Sequence, residues 1–127
     1  MTTEEYLKGV LVTESLDIPE TLFRLSNKRA ARLLHASMGL TTESGEFSDQ
    51  LKKHLFYGTD LDEVNLVEEL GDLLWYIGVA IDALGSSFEK VMEINNLKLS
   101  QRYKSGFSKE EALNRDLDKE NDAVHSK

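Results

Sequence analysis

From residue 20 onward apolar side chains recur at helical spacing: Leu22, Leu25, Leu33, Leu40, Phe47, Leu51 and Leu55. A 3.6-residue period gathers such positions into one stripe of an α-helix. Gly39 and Gly45 interrupt the stripe without shifting its phase, so the pattern predicts one long or slightly broken helix over about residues 20–56. Pro19 suits its first turn, and Gly58 suits the left-handed residue after its end. A second stripe follows in Leu66, Leu70, Leu73, Leu74, Ile77, Ile81 and Leu84. Asp60 with Glu63 has capping-box spacing at its start, and Gly85 ends it. Ser86 with Glu89 opens a further helix to about Lys104, and Gly106 closes it. Thr2 with Glu5 and Ser108 with Glu111 frame short helices at the two ends, the first reaching about Thr13. Strand signals are nearly missing. The prediction is an all-α helical bundle.

The helix over residues 70–84 is apolar on more than one side, because Trp75, Val79 and Ala80 lie off its main stripe. Such a helix needs neighbours on most of its circumference. One chain with three substantial helices does not supply them, so a core four-helix arrangement completed by oligomerisation is expected.

Length and composition narrow the class. The 127 residues fit one domain, assigned to 1–115, with a charged, frayed tail over 116–127 that has little to bury. A formal net charge of −8 argues against a nucleic-acid duplex as partner, since phosphate binding needs a basic surface. Cysteine is absent, which excludes disulfides, thiolate nucleophiles and Cys-based zinc sites. The first ten residues lack the basic and apolar regions of a signal peptide. The longest apolar run, LLWYIGVAI, is about half of what a bilayer span needs. A cytoplasmic protein without a membrane partner is expected.

The chemistry lies in the acids. Carboxylates three apart occur six times, so spacing alone singles out none of them. Two pairs differ in context. Glu43 and Glu46 border the Leu40–Phe47–Leu51 stripe, and Glu69 and Asp72 border Leu66–Leu70–Leu73. If the stripes pack together, four carboxylates crowd one seam with no Lys or Arg inside either pair. A hard divalent cation is the natural counter-charge for such oxygens. No histidine follows a glutamate by three, which disfavours a di-iron bundle, and no EF-hand loop is present. Magnesium commonly shares its site with substrate phosphates. His35 reads as a packed or hydrogen-bonded residue rather than a ligand.

Glu43-x-x-Glu46, twenty-two residues and Glu69-x-x-Asp72 resemble the signature of MazG-like, all-α nucleotide pyrophosphohydrolases. The flanking text TTESGEFSDQLKKHLFYG, EELGDLLWYIGVAIDALG, NNLKLSQRYKSGF and EEALNRDLDKE is similar to the short, single-domain bacterial and phage branch over roughly residues 30–120. The resemblance implies Mg²⁺-dependent hydrolysis of an NTP or dNTP to the monophosphate and pyrophosphate by metal-activated water, with Mn²⁺ as a substitute. It also implies a homodimer or homotetramer. Glu43, Glu46, Glu69 and Asp72 would be the metal ligands and catalytic acids. Lys53, Asn96, Lys98, Arg102 and Tyr103 would bind substrate, although Asn95 shares the face of Lys98 and Arg102 while Asn96 does not. Tyr76, Trp75 and Tyr103 are candidates to stack on a base, a role that competes with plain core packing. Asp49 either extends the acidic row or is solvated. Asp82 is a candidate for an arginine such as Arg115, or for a partner subunit. A phosphoribosyl-ATP pyrophosphohydrolase-like enzyme and a non-catalytic helical module are the alternatives.

Overall fold

In the computed structural model, described over residues 1–15 and 17–125, the only regular structure among the described residues is helical. The order is α1 (Thr3–Thr13), α2 (Ile18–Leu25), α3 (Lys28–Tyr57), α4 (Glu63–Ala83), α5 (Phe88–Arg102), α6 (Lys109–Leu113) and α7 (Leu117–His125). The last two residues of the acidic tail lie outside the described part.

The helix starts follow side-chain caps. Thr2 and Glu5 form the expected capping box, and Ser108 accepts from the Glu111 amide. Three starts differ from expectation. The long helix breaks at Ser26–Asn27 rather than at a glycine, because Asn27 Oδ1 accepts from the amides of Arg29 and Ala30 and begins α3 afresh. Asp62, not Asp60, caps α4 by accepting from Asn65 N at 3.0 Å. Ser87, not Ser86, caps α5 through Lys90 N. Gly58 and Gly85 end α3 and α4 as expected, with positive φ values of 71° and 67° that cost glycine little, whereas α5 ends at Arg102 with Tyr103 as its cap, short of Gly106.

The main tertiary contact is an antiparallel α3–α4 pair. His54 Nδ1 lies 2.8 Å from Thr59 O and ties the connecting loop to the end of α3. Moving away from that loop, Glu43 meets Glu69 and Asp72, Gly39 meets Tyr76, and His35 meets Trp75 and Tyr76 edge-on with centroids 6.3 and 5.5 Å apart. Arg32 then bridges to Asp82 at 2.6 Å, so the arginine partner of Asp82 is Arg32 and not Arg115. Gly39 is buried because the Tyr76 ring lies on its Cα; a Cβ there would overlap the ring carbons.

The core beyond that seam is thin. The buried hydrophobics are Ala36, Ile81 and Ala83, all small or aliphatic. The tail read as frayed is helical, and α7 packs along α5. Accessible area totals 10240 Å², against about 6,800 Å² for a compact monomer of this mass. Much of the excess is apolar: on α4, Val64, Val67, Leu70 and Leu74 are 80, 68, 48 and 57% exposed.

These packing facts separate two glycines of the same helix. Gly39→Val should destabilise by about 1–3 kcal/mol through overpacking against Tyr76. Gly45 faces open space, so Gly45→Ala should stabilise by about 0.5–1 kcal/mol through helix propensity. Thermal or urea denaturation of the two variants measures the contrast.

Candidate active site

The α3–α4 register brings the two acidic pairs to one level of the seam. Ligand-capable oxygens of Glu43, Glu69 and Asp72 all lie within 4.8 Å of one another. Glu46 stands on the other side of Glu69, where both line a cleft of about 440 Å³ with Thr42, Asp49, Gln50, Lys53 and Asn65. Glu69 is the centre of the group and only 6% exposed. Burial pushes its carboxyl above the usual range, and the charges of Glu46, Glu43 and Asp72 push the same way. The one contact that favours the charged form is Asn65 Nδ2 donating to Glu69 Oε1 at 3.2 Å. On the Glu43 side the Thr42 hydroxyl, which donates to Gly39 O at 2.9 Å, lies 3.2 Å from Glu43 Oε1.

The donor set is chemically uniform: clustered carboxylate oxygens with no thiolate and no imidazole. That set suits a hard divalent cation. A cation would also remove the repulsion that now raises Glu69, and Asn65 Oδ1 is a buried acceptor without a partner. The residues present therefore fit a divalent metal.

Cationic groups reach the cleft from one direction. Lys53 lines it and pairs with Asp49 at 2.8 Å, while Lys52 also grips Asp49. Hydrogen bonds first from Lys52 and then from Lys53 hold the Asp49 carboxyl down to about 2. Asp49 is thus a lysine-holding residue at the edge of the acidic row.

The residues expected on the third long helix stand elsewhere. Asn96, Lys98 and Arg102 lie on α5 and Tyr103 caps its end, and none of them lines the acidic cleft. Arg102 donates through Nε and Nη2 to the two oxygens of Glu120 at 2.9 and 2.8 Å. Arg115 adds bonds of 3.3 and 2.7 Å to the same carboxylate. Glu120 is 5% exposed, so this Arg–Glu–Arg group is an internal clasp between α5 and α7. Lys98 lines a separate cavity of about 490 Å³ with Arg115 and Glu120. Asn95 and Asn96 are both exposed, and Tyr103 packs near Phe107. Tyr76 is committed to Gly39 and His35, whereas Trp75 remains 58% exposed one turn beyond Asp72.

Sequence reasoning missed Asn65. Its signal was a polar residue one helical turn before Glu69, in phase with the buried seam.

An antiparallel helix pair with acidic dyads facing each other across its seam defines an all-α, carboxylate-rich protein suited to divalent metal. The particular family follows from comparison: residues 33–107, more than half of the chain, match the MazG nucleotide pyrophosphohydrolase domain. The chain belongs to that family. Comparison with curated proteins and with solved structures found no match. Both acidic dyads and the α3–α4 seam fall inside the matched span, and α1, α2, α6 and α7 fall outside it.

The clasp gives a pH prediction. Hydrogen bonds from Arg102 and Arg115 hold the Glu120 carboxyl well below its ordinary value of 4.5. A depressed carboxylate contributes stability that is complete above the unfolded value and is lost as pH falls toward the folded one. Glu120→Gln should therefore lower the melting temperature at pH 7. The gap between wild type and variant should narrow as the pH drops below 4.5, as followed by circular dichroism melts across pH.

Proposed function

We propose that this protein is a divalent-metal-dependent nucleoside triphosphate pyrophosphohydrolase, with Mg²⁺ the expected ion and Mn²⁺ a substitute, converting an NTP or dNTP to the monophosphate and pyrophosphate. The observation that carries this reading is the meeting of Glu43, Glu69 and Asp72 within 4.8 Å, with Glu46 on the adjoining cleft wall, in a chain of the MazG family.

Glu43, Glu69 and Asp72 would hold the metal, and Glu46 would complete the set from the cleft side. When bound, the ion lowers the pKa of water and screens the charge of a polyphosphate. The protein's own groups do the rest. A carboxylate of the four would accept the proton of the attacking water. Lys53, at the lip of the same cleft, offers its ammonium to the phosphate chain, and Asp49 keeps that ammonium in place. Exposed Trp75 offers a ring for the base one turn away. Asn96, Lys98, Arg102 and Tyr103 would meet substrate only if α5, from this chain or a second copy, approaches the cleft, and Arg102 would first have to leave Glu120.

The unpartnered apolar face of α4 supports a homodimer or homotetramer. Val64, Val67, Leu70 and Leu74 together present a contiguous apolar surface of the kind that oligomers bury. No helix of the described residues is long and apolar enough to cross a membrane.

Incubated with Mg²⁺ and a panel of NTPs and dNTPs, the purified protein should release pyrophosphate from at least one. Glu69→Gln should reduce that release to background while retaining wild-type helicity. Intact triphosphates across the panel would refute the reading. In sedimentation at micromolar concentration the wild type should run as a dimer or tetramer, and Val67→Asp should shift it toward monomer. A folded wild-type monomer would remove the oligomer from the proposal.

A further inference from the structure

Asn65 stands in the first turn of α4, where Asp62 caps its backbone amide, and its side chain is half-buried on the seam side. Its amide makes one side-chain bond, from Nδ2 to Glu69 Oε1 at 3.2 Å. Its other end, Oδ1, is buried and accepts from nothing; among the described residues no other buried side-chain polar atom is left without a partner. The orientation follows from the chemistry: an ionised carboxylate only accepts, so the NH₂ end must face Glu69 and the carbonyl must face away. Turning the amide over would set two acceptors against each other.

A buried acceptor without a donor is costly, and each one in a native structure calls for an explanation such as strain, ordered water, an ion or a catalytic role. Asn65 lines the same cleft as Glu46, Glu69 and Lys53. It is therefore next to the place where a ligand would bring donors, and away from the Arg32 and His35 end of the seam.

We propose that Asn65 is a positioning residue of the metal site. It fixes the rotamer of Glu69 by donating to Oε1, and it keeps Oδ1 as the acceptor for an O–H donor that arrives with the ligand, the hydration shell of a divalent cation. The inference rests on the metal-dependent reading above. A ligand carboxylate held by an outer hydrogen bond binds its ion more tightly than a free one, typically by 10–100-fold. Of the four acids, Glu69 has this support from within its own helix, one turn back.

The test is Mn²⁺ binding to the full chain by titration calorimetry, with no nucleotide present, so that it reads the site and not turnover. Wild type should bind, and Glu69→Gln should lose that binding. Asn65→Leu should bind about 10–100-fold more weakly, with helicity kept. Asn65→Ala provides the same reading without added bulk, should leucine disturb the seam. Wild-type affinity in both Asn65 variants, with Glu69→Gln still deficient, overturns the positioning role and leaves the metal site standing. A fall in melting temperature with unchanged affinity also overturns it, because that is the mark of a structural residue. No Mn²⁺ binding by wild type overturns the metal reading itself, and this inference with it.

Discussion

The antiparallel seam between α3 and α4 fixes nearly everything else in the molecule. Its close approach depends on a glycine: Gly39 gives up its side-chain space to the ring of Tyr76, and the two helices can then come within reach at the level of the acids. The aromatic trio of His35, Trp75 and Tyr76 sits on the side of that contact away from the connecting loop, and the carboxylates sit on the loop side. Packing at one level thus sets the separation of charges at the next. Without the seam Glu43 and Glu46 would be ordinary solvated acids on one helix. With it they face Glu69, which burial has already made costly to ionise. The site is a place where the fold accepts local electrostatic strain, and such places are where function is most often found.

Two arrangements of charge in this chain show how context assigns roles to like residues. Glu69 and Glu120 are both buried glutamates. Glu120 receives four hydrogen bonds from two guanidiniums and is held strongly in its charged form. Glu69 receives one bond from a neutral amide and is surrounded by acids. The first is internally complete, which makes it a fastening between α5 and α7. The second lacks a positive partner, which makes it receptive to one. Asp49 lies between these cases, satisfied by two lysines at the rim of the acidic row.

How much of this the sequence disclosed can be judged from particular residues. The all-α class, the glycine stops after α3 and α4 and the two acidic dyads were legible, because periodicity and dyad spacing are local properties. The helix starts were less so. The true caps Asn27, Asp62 and Ser87 have Ala30, Asn65 and Lys90 at the third helical position, not the glutamate of a capping box, so the box pattern selected neighbours of Asp62 and Ser87 and gave no start at Asn27. The convergence of the dyads was inferable only by assuming which stripes pack. Arg102 shows a deeper limit. A lone arginine on a helical face looks available, and nothing local announces that a glutamate eighteen residues on will fold back and claim it. Asn65 was passed over because a single asparagine has no pattern, and its meaning is an unpaired atom that only three dimensions reveal.

The surface of the chain bears on how the site is completed. A single copy closes one side of the acidic cluster with α3 and α4, while α5 is engaged chiefly with α7 and makes little contact with the α3–α4 pair. The α4 helix sets Glu69, Asp72 and Tyr76 against α3, while Val64, Val67, Leu70 and Leu74 face outward. An apolar helix face without a neighbour leaves burial outstanding. Covering the outer face with the same face of another copy would bury hydrophobic area.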